Sequence, residues 1–99
     1  MATDGSSSTL PGGELVSAGI RDLEHERESV EALLVSIGAP RLRSLGLPVS
    51  RPIPGAEERL YLLLAGRYGD TAHSRYNALV RRLVRFERAF VASSRVVEG

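Results

Sequence analysis

The apolar residues between Asp70 and Val91 recur at helical spacing, with Ala72, Tyr76, Leu79, Val80, Leu83, Phe86 and Phe90 on one side of a stretch that contains no Gly or Pro. At about 100° per residue these side chains, with Val84 and Val91 at one edge, span an arc of roughly 160°. Arg75, Arg81, Arg82, Arg85 and Arg88 share most of the opposite side. One face of the predicted helix is suited to burial, and the other is a row of guanidinium groups. Asp70 is placed to cap its start, after a turn carried by Gly69.

A second helical pattern precedes it. Val16, Ile20, Leu23, Arg27, Val30, Leu34 and Ile37 step by four and three residues, which predicts one helix over residues 14–37 with Arg27 as the single charge in its seam. Leu15 and Leu33 widen the stripe, and Gly38 followed by Pro40 suits a left-handed cap. Gly19 is expected to weaken this helix by up to ~1 kcal/mol relative to alanine. Residues 38–55 hold Pro40, Pro48, Pro52 and Pro54, which argues against regular helix and for a crossover packed down by Leu42, Leu45, Leu47, Val49 and Ile53. Glu57 and Glu58 then open a short helix that ends at Gly66 or Gly69, and its leucines point nearly all round the axis, predicting burial on several sides.

The expected fold is thus all-α: two long amphipathic helices of about 24 residues, one short apolar helix, and a Pro-rich crossover loop, forming a helical hairpin or bundle. Residues 1–13, rich in Gly, Ser and Thr, read as a flexible tail, residues 14–92 as a single helical domain, and residues 93–99 as a frayed end.

Composition narrows the chemistry. With 99 residues, 42% hydrophobic and 25% charged, the chain has the makings of one small domain. There is no cysteine, and all thirteen positive side chains are arginine, which removes thiolate chemistry, Schiff bases and a Walker-type phosphate lysine. No apolar run approaches the ~20 residues of a membrane span and the N-terminus lacks a secretory pattern, so a cytoplasmic location is expected and no membrane partner. The net charge of +1 hides an asymmetry: residues 1–40 carry seven acids against two arginines, and residues 41–99 eleven arginines against five acids. The halves attract, either within one chain or between chains.

Several constellations follow. The arginine row of Arg75, Arg81, Arg82, Arg85 and Arg88 is able to track a phosphate backbone, or to pair with Asp22, Glu24, Glu26, Glu28 and Glu31 across a helix interface, the simpler expectation. Asp22 and His25 have a spacing found in bundle metal sites, but His25 projects away from the seam, so no metal or other cofactor is expected. Arg27 and Glu87, one charge in each seam and of opposite sign, are expected to form a structural ion pair.

Arg67 and His73, separated by five residues and followed by Tyr76, resemble the arginine, spacer and histidine signature of the HEPN family of helical ribonucleases. That resemblance implies RNA cleavage by the pair at a dimer interface. Read from the residues alone, Arg67 ends the short helix and His73 sits in the first turn of the next.

The reading that best joins these features is a non-catalytic interaction or assembly module without a small-molecule substrate. Its expected partner is a second copy or another helix, met through Tyr61, Leu62 and Leu64 of the short helix and Val80, Val84 and Val91 of the last. Nucleic-acid binding through the arginine row is the alternative.

Overall fold

The computed structural model describes residues 10–98, and among them there is no strand. Five α-helices follow one another: α1 (Gly13–Glu24), α2 (Val30–Ile37), α3 (Ala39–Ser44), α4 (Ala56–Tyr68) and α5 (Ala72–Glu98), with a 3-10 turn over Gly69–Thr71. The all-helical expectation holds. Most of the tail expected over residues 1–13 lies outside the described residues, and α5 continues to Glu98, past the point where fraying is expected.

The helix expected over 14–37 is two helices. Glu24 to Glu28 supply no apolar side chain, Glu26 takes a left-handed conformation (φ 56°), and the chain reverses. Ser29 restarts it as an N-cap: its hydroxyl accepts from the Ala32 amide at 3.0 Å and donates to Asp22 Oδ2 at 2.6 Å, tying the start of α2 to the end of α1. α1 then packs back along α2, and the fold has one long helix where two were expected. The two backbones meet at Gly19, where an added Cβ would lie 2.4 Å from both the Glu31 carbonyl oxygen and Val35 Cγ2.

The Pro-rich stretch also departs from expectation, because it opens with a helix. Pro40 occupies the first turn of α3, where its missing N–H removes no helical hydrogen bond. Gly38 links α2 to α3 without turning left-handed (φ −89°), and its lack of a side chain lets α5 approach: a Cβ there would sit 2.9 Å from Leu83 Cδ2. Beyond α3, the buried Ser36 donates to the Ala32 carbonyl and accepts from the Ile53 amide at 2.9 Å, pinning the segment onto α2. Val49 is buried beneath it.

Leu60 and Leu64 of α4 are buried, whereas Leu62 is 62% exposed. α4 is therefore covered along one side and not on several. Leu33, Leu34, Leu42, Leu60 and Phe86 form the fully buried centre, with Ala72 and Leu83 of α5 around them. The 27 residues of α5 make a rod of about 40 Å at 1.5 Å per residue, which accounts for most of the molecule's 45 Å long axis. α5 begins after Thr71, so Asp70 lies inside the 3-10 turn and not at the cap position.

Glu87, only 8% exposed, pairs with Arg41 of α3 at 3.2 Å. Arg27 is exposed in the α1–α2 turn, so the expected Arg27–Glu87 pair does not form. The break at residues 25–29 carries Arg27 out of the seam, and α3 brings a different arginine to the buried carboxylate. A double-mutant cycle with Arg41→Met and Glu87→Leu is expected to show coupling above about 0.5 kcal/mol, modest because Arg41 itself faces water. The cycle with Arg27→Met should be additive. Coupling to Arg27 in thermal melts would contradict this arrangement.

Candidate functional site

α5 presents two edges and an outer face. The first edge carries Val80 and Val84, half-buried, and Val91, 37% exposed. Beside it Ile37, Gly38, Pro40 and Arg41 form the far wall of an open groove of about 300 Å³, with Leu83 and Glu87 in its floor. A further concavity of similar volume continues past Glu87 to Val91 and Ala92. Near the start of the same edge Tyr61 meets His73 edge-on at 6.3 Å and lies 5.8 Å from Tyr76. Burial, with Glu57 nearby, pushes the Tyr76 hydroxyl above its ordinary pKa. Leu64, expected to face a partner with Tyr61 and Leu62, is buried in the core: it lies one turn after Leu60 on the side of α4 that faces inward.

On the outer face Arg75, Arg81, Arg82, Arg85 and Arg88 are all exposed. The expected clamp between these arginines and the acids of the α1–α2 region is not there. Among the described residues the ion pairs are Arg41–Glu87, Arg51–Glu26 and Arg59–Glu28, so the acids of the first turn are met by arginines of the crossover and of α4. Arg59 reaches both Glu28 oxygens, at 2.6 and 3.0 Å, and holds that carboxyl below the usual carboxylate range. The α1–α2 turn is nearer in space to these segments because the chain doubles back at Glu26.

The second edge of α5 holds a linked polar arrangement. The Arg75 guanidinium lies over the Tyr68 ring, its Cζ 3.9 Å from the ring centroid. Arg75 Nε donates to Thr71 Oγ1 at 3.1 Å, and that hydroxyl donates to the Tyr68 carbonyl at 3.2 Å. Gly69 makes the turn that brings Tyr68 and Arg75 together, with φ 58° and ψ −120°, a conformation that only glycine adopts without strain. Beside this platform opens a groove of about 230 Å³ lined by Val30, Leu64, Tyr68, Arg75, Ala78, Leu79 and Arg82. Neither Tyr68 nor Thr71 stands out in the sequence. The available signal is local: Thr71 precedes Arg75 by one helical turn, after a glycine that lets the chain fold back.

The remaining candidates are placed as follows. Arg67 lies in the last turn of α4 and His73 in the first turn of α5, on either side of the Gly69 turn. His73 Nε2 is 3.2 Å from Asn77 Nδ2, and both Arg67 and His73 are exposed. His25 ends α1 with Nδ1 2.9 Å from the Arg21 carbonyl, and Asp22 is engaged by Ser29. Arg27 borders a concavity of about 250 Å³ with Leu23, Ile53 and Pro54. Among the described residues no group of three or more acids or histidines is placed to hold a metal ion, and no helix is long and apolar enough to cross a membrane.

No family model, curated protein or solved structure matches the chain. The HEPN resemblance therefore rests on the ten residues from Arg67 to Tyr76.

Proposed function

We propose that the chain is a non-catalytic helical assembly module, acting in the cytoplasm, that associates with a second copy of itself through the Val80, Val84 and Val91 edge of α5. The observation that carries this reading is a mismatch of length. α5 runs 27 residues, and α4 and α2, which pack against it, run 13 and 8, or about 20 and 12 Å. The groove between α5 and the α2–α3 junction is left open and is apolar along its valine side.

A second copy is the simplest occupant, because a two-fold operation lays the same edge of each α5 into the partner's groove and closes both at once. Tyr61 and Leu62, both exposed on α4, extend the apolar surface available to that contact. Leu64 is not part of it. The arginines limit the docking to this edge, since bringing two outer faces together would oppose like charges.

Light scattering at micromolar concentration is expected to return a mass of twice 10.7 kDa. Val84→Glu and Leu62→Glu should shift it toward the monomer while circular dichroism keeps the helical spectrum. A monomeric wild-type chain, or two variants that remain dimeric, would refute the reading.

A further inference from the structure

We infer that the groove between Tyr68, α2 and the second edge of α5 is a binding site for single-stranded nucleic acid, receiving one base while the arginines of α5 hold the flanking phosphates. This site lies on the opposite edge of α5 from the assembly surface and does not depend on it.

The chain of argument begins with charge. Five exposed arginines on one helix repel one another, and among the described residues none is neutralised by an ion pair, although acids are close enough elsewhere to engage Arg41, Arg51 and Arg59. An uncompensated row of this kind is complementary to a regular polyanion. Guanidinium groups also suit phosphate better than ammonium groups do, since their fork of donors matches two phosphate oxygens.

Shape then selects the kind of polyanion. Arg75, Ala78, Arg82, Arg85 and Ala89 follow one another at steps of three and four residues, so arginines and alanines form one ridge along α5. The alanines leave the ridge low enough for a strand to lie against it. From Arg75 to Arg82 and from Arg82 to Arg85 the rise along the axis is about 10 and 5 Å, a spacing long arginine side chains can match to phosphates of an extended strand.

The groove opens off this ridge between Arg75 and Arg82, with Val30, Leu64 and Leu79 as an apolar floor and Tyr68, 41% exposed, as a wall. Its 230 Å³ lies below the roughly 300 to 1,000 Å³ of pockets that enclose a drug-sized ligand, and suits a single ring system. Apolar floor, aromatic wall and guanidinium edges are what a splayed-out base requires. A base still paired in a duplex cannot enter. The hydrogen bonds from Arg75 to Thr71 and from Thr71 to the Tyr68 carbonyl hold the wall and its neighbouring charge in place before any ligand arrives, which lowers the ordering cost of binding.

The test is fluorescence anisotropy of the full chain with a labelled 15-nucleotide single strand, of DNA and of RNA, across a series of salt concentrations. Binding is expected at low salt, with log K falling against log salt at a slope of about −3 if four to five arginines engage phosphates. Arg82→Glu with Arg85→Glu should remove binding at physiological salt. Tyr68→Ala should weaken it about tenfold with the salt slope unchanged, and Tyr68→Phe should leave it intact, since stacking needs the ring and not the hydroxyl. A circular dichroism melt on each variant separates loss of the site from loss of the fold.

Absence of binding at 50 mM salt would overturn the proposal. So would a duplex bound as tightly as the single strand, or a Tyr68→Ala variant that binds like wild type, either of which would leave the groove without a base. Displacement of the strand by polyglutamate at equal concentration of charge would assign the face to an acidic protein instead.

Discussion

Replacing Gly19 with alanine is expected to destabilise the domain by about 2 kcal/mol or more, the reverse of what helix propensity alone predicts. In an isolated helix the substitution is favourable by up to about 1 kcal/mol, because alanine loses less backbone entropy and adds no strain. In the fold the added methyl meets the Glu31 carbonyl oxygen and Val35 Cγ2, each at 2.4 Å. The valine methyl can swing aside. The carbonyl belongs to the backbone of α2 and moves only if the whole helix retreats, opening the tightest contact of the α1–α2 hairpin. At about 4 to 8 °C per kcal/mol for a domain this size, the melting temperature should fall by roughly 10 °C. A thermal melt followed by circular dichroism decides it: an unchanged or raised midpoint would mean that α1 does not lie against α2 in this way. Gly19→Ser should behave like alanine, because the clash begins at Cβ.

The same hairpin shows where the sequence is legible and where it misleads. α5 reads almost as it stands, because nothing interrupts its period, and Ala72, Leu83 and Phe86 are buried as their spacing predicts. The α1–α2 region satisfies the period by coincidence: Arg27 falls at a seam position, and its long side chain would fit a single continuous helix. The contrary signal lies in the side chains around it. Residues 24–28 are all charged or histidine, Ser29 can cap, and Val30 to Ile37 is apolar but for Glu31 and Ser36 where α1 is amphipathic. A change of helix character across a capping residue marks two helices that meet different surroundings, and the seam's step of four and three does not register it.

The surface is harder to read for a physical reason. Whether an arginine is neutralised depends on which acid reaches it, and that follows from chain reversals rather than from local spacing. Opposite charges in the two halves of the chain suggest a clamp, and two such pairs do exist, yet they use Arg51 and Arg59 and leave the arginine row of α5 unpaired among the described residues. The Tyr68 groove depends on one left-handed glycine and on two helices that cross beside Val30. Only the glycine is visible in the sequence, and glycines in turns are common. The Val80, Val84 and Val91 edge is legible as the rim of an apolar arc, whereas the burial of Leu64 follows from which side of α4 faces the core.

Phe86→Ala is expected to have the largest effect of any single substitution in α5, about 3 to 5 kcal/mol, a large part of the usual 5 to 15 kcal/mol of domain stability. Phe86 is fully buried, its ring lies 5.8 Å from that of Phe90, and the first turn of α1 closes over it: a Cβ on Gly12 would come within 3.3 Å of the Phe86 Cβ and 2.8 Å of the Arg82 carbonyl. Removing the ring therefore loses its transfer energy and leaves a cavity bounded by two helices, neither of which can collapse into it without breaking other contacts. Phe90→Ala, at a half-buried position one turn later, should cost clearly less, and Arg85→Ala, facing water one residue earlier, should stay within about 0.5 kcal/mol. The ordering of the three tests the rotation of α5 about its axis, on which both proposed surfaces depend. Urea titration of the variants measures it directly. If Arg85→Ala proved as damaging as Phe86→Ala, the helix would be turned so that the arginine row faced protein, and neither the assembly edge nor the nucleic-acid groove would stand where it is placed here.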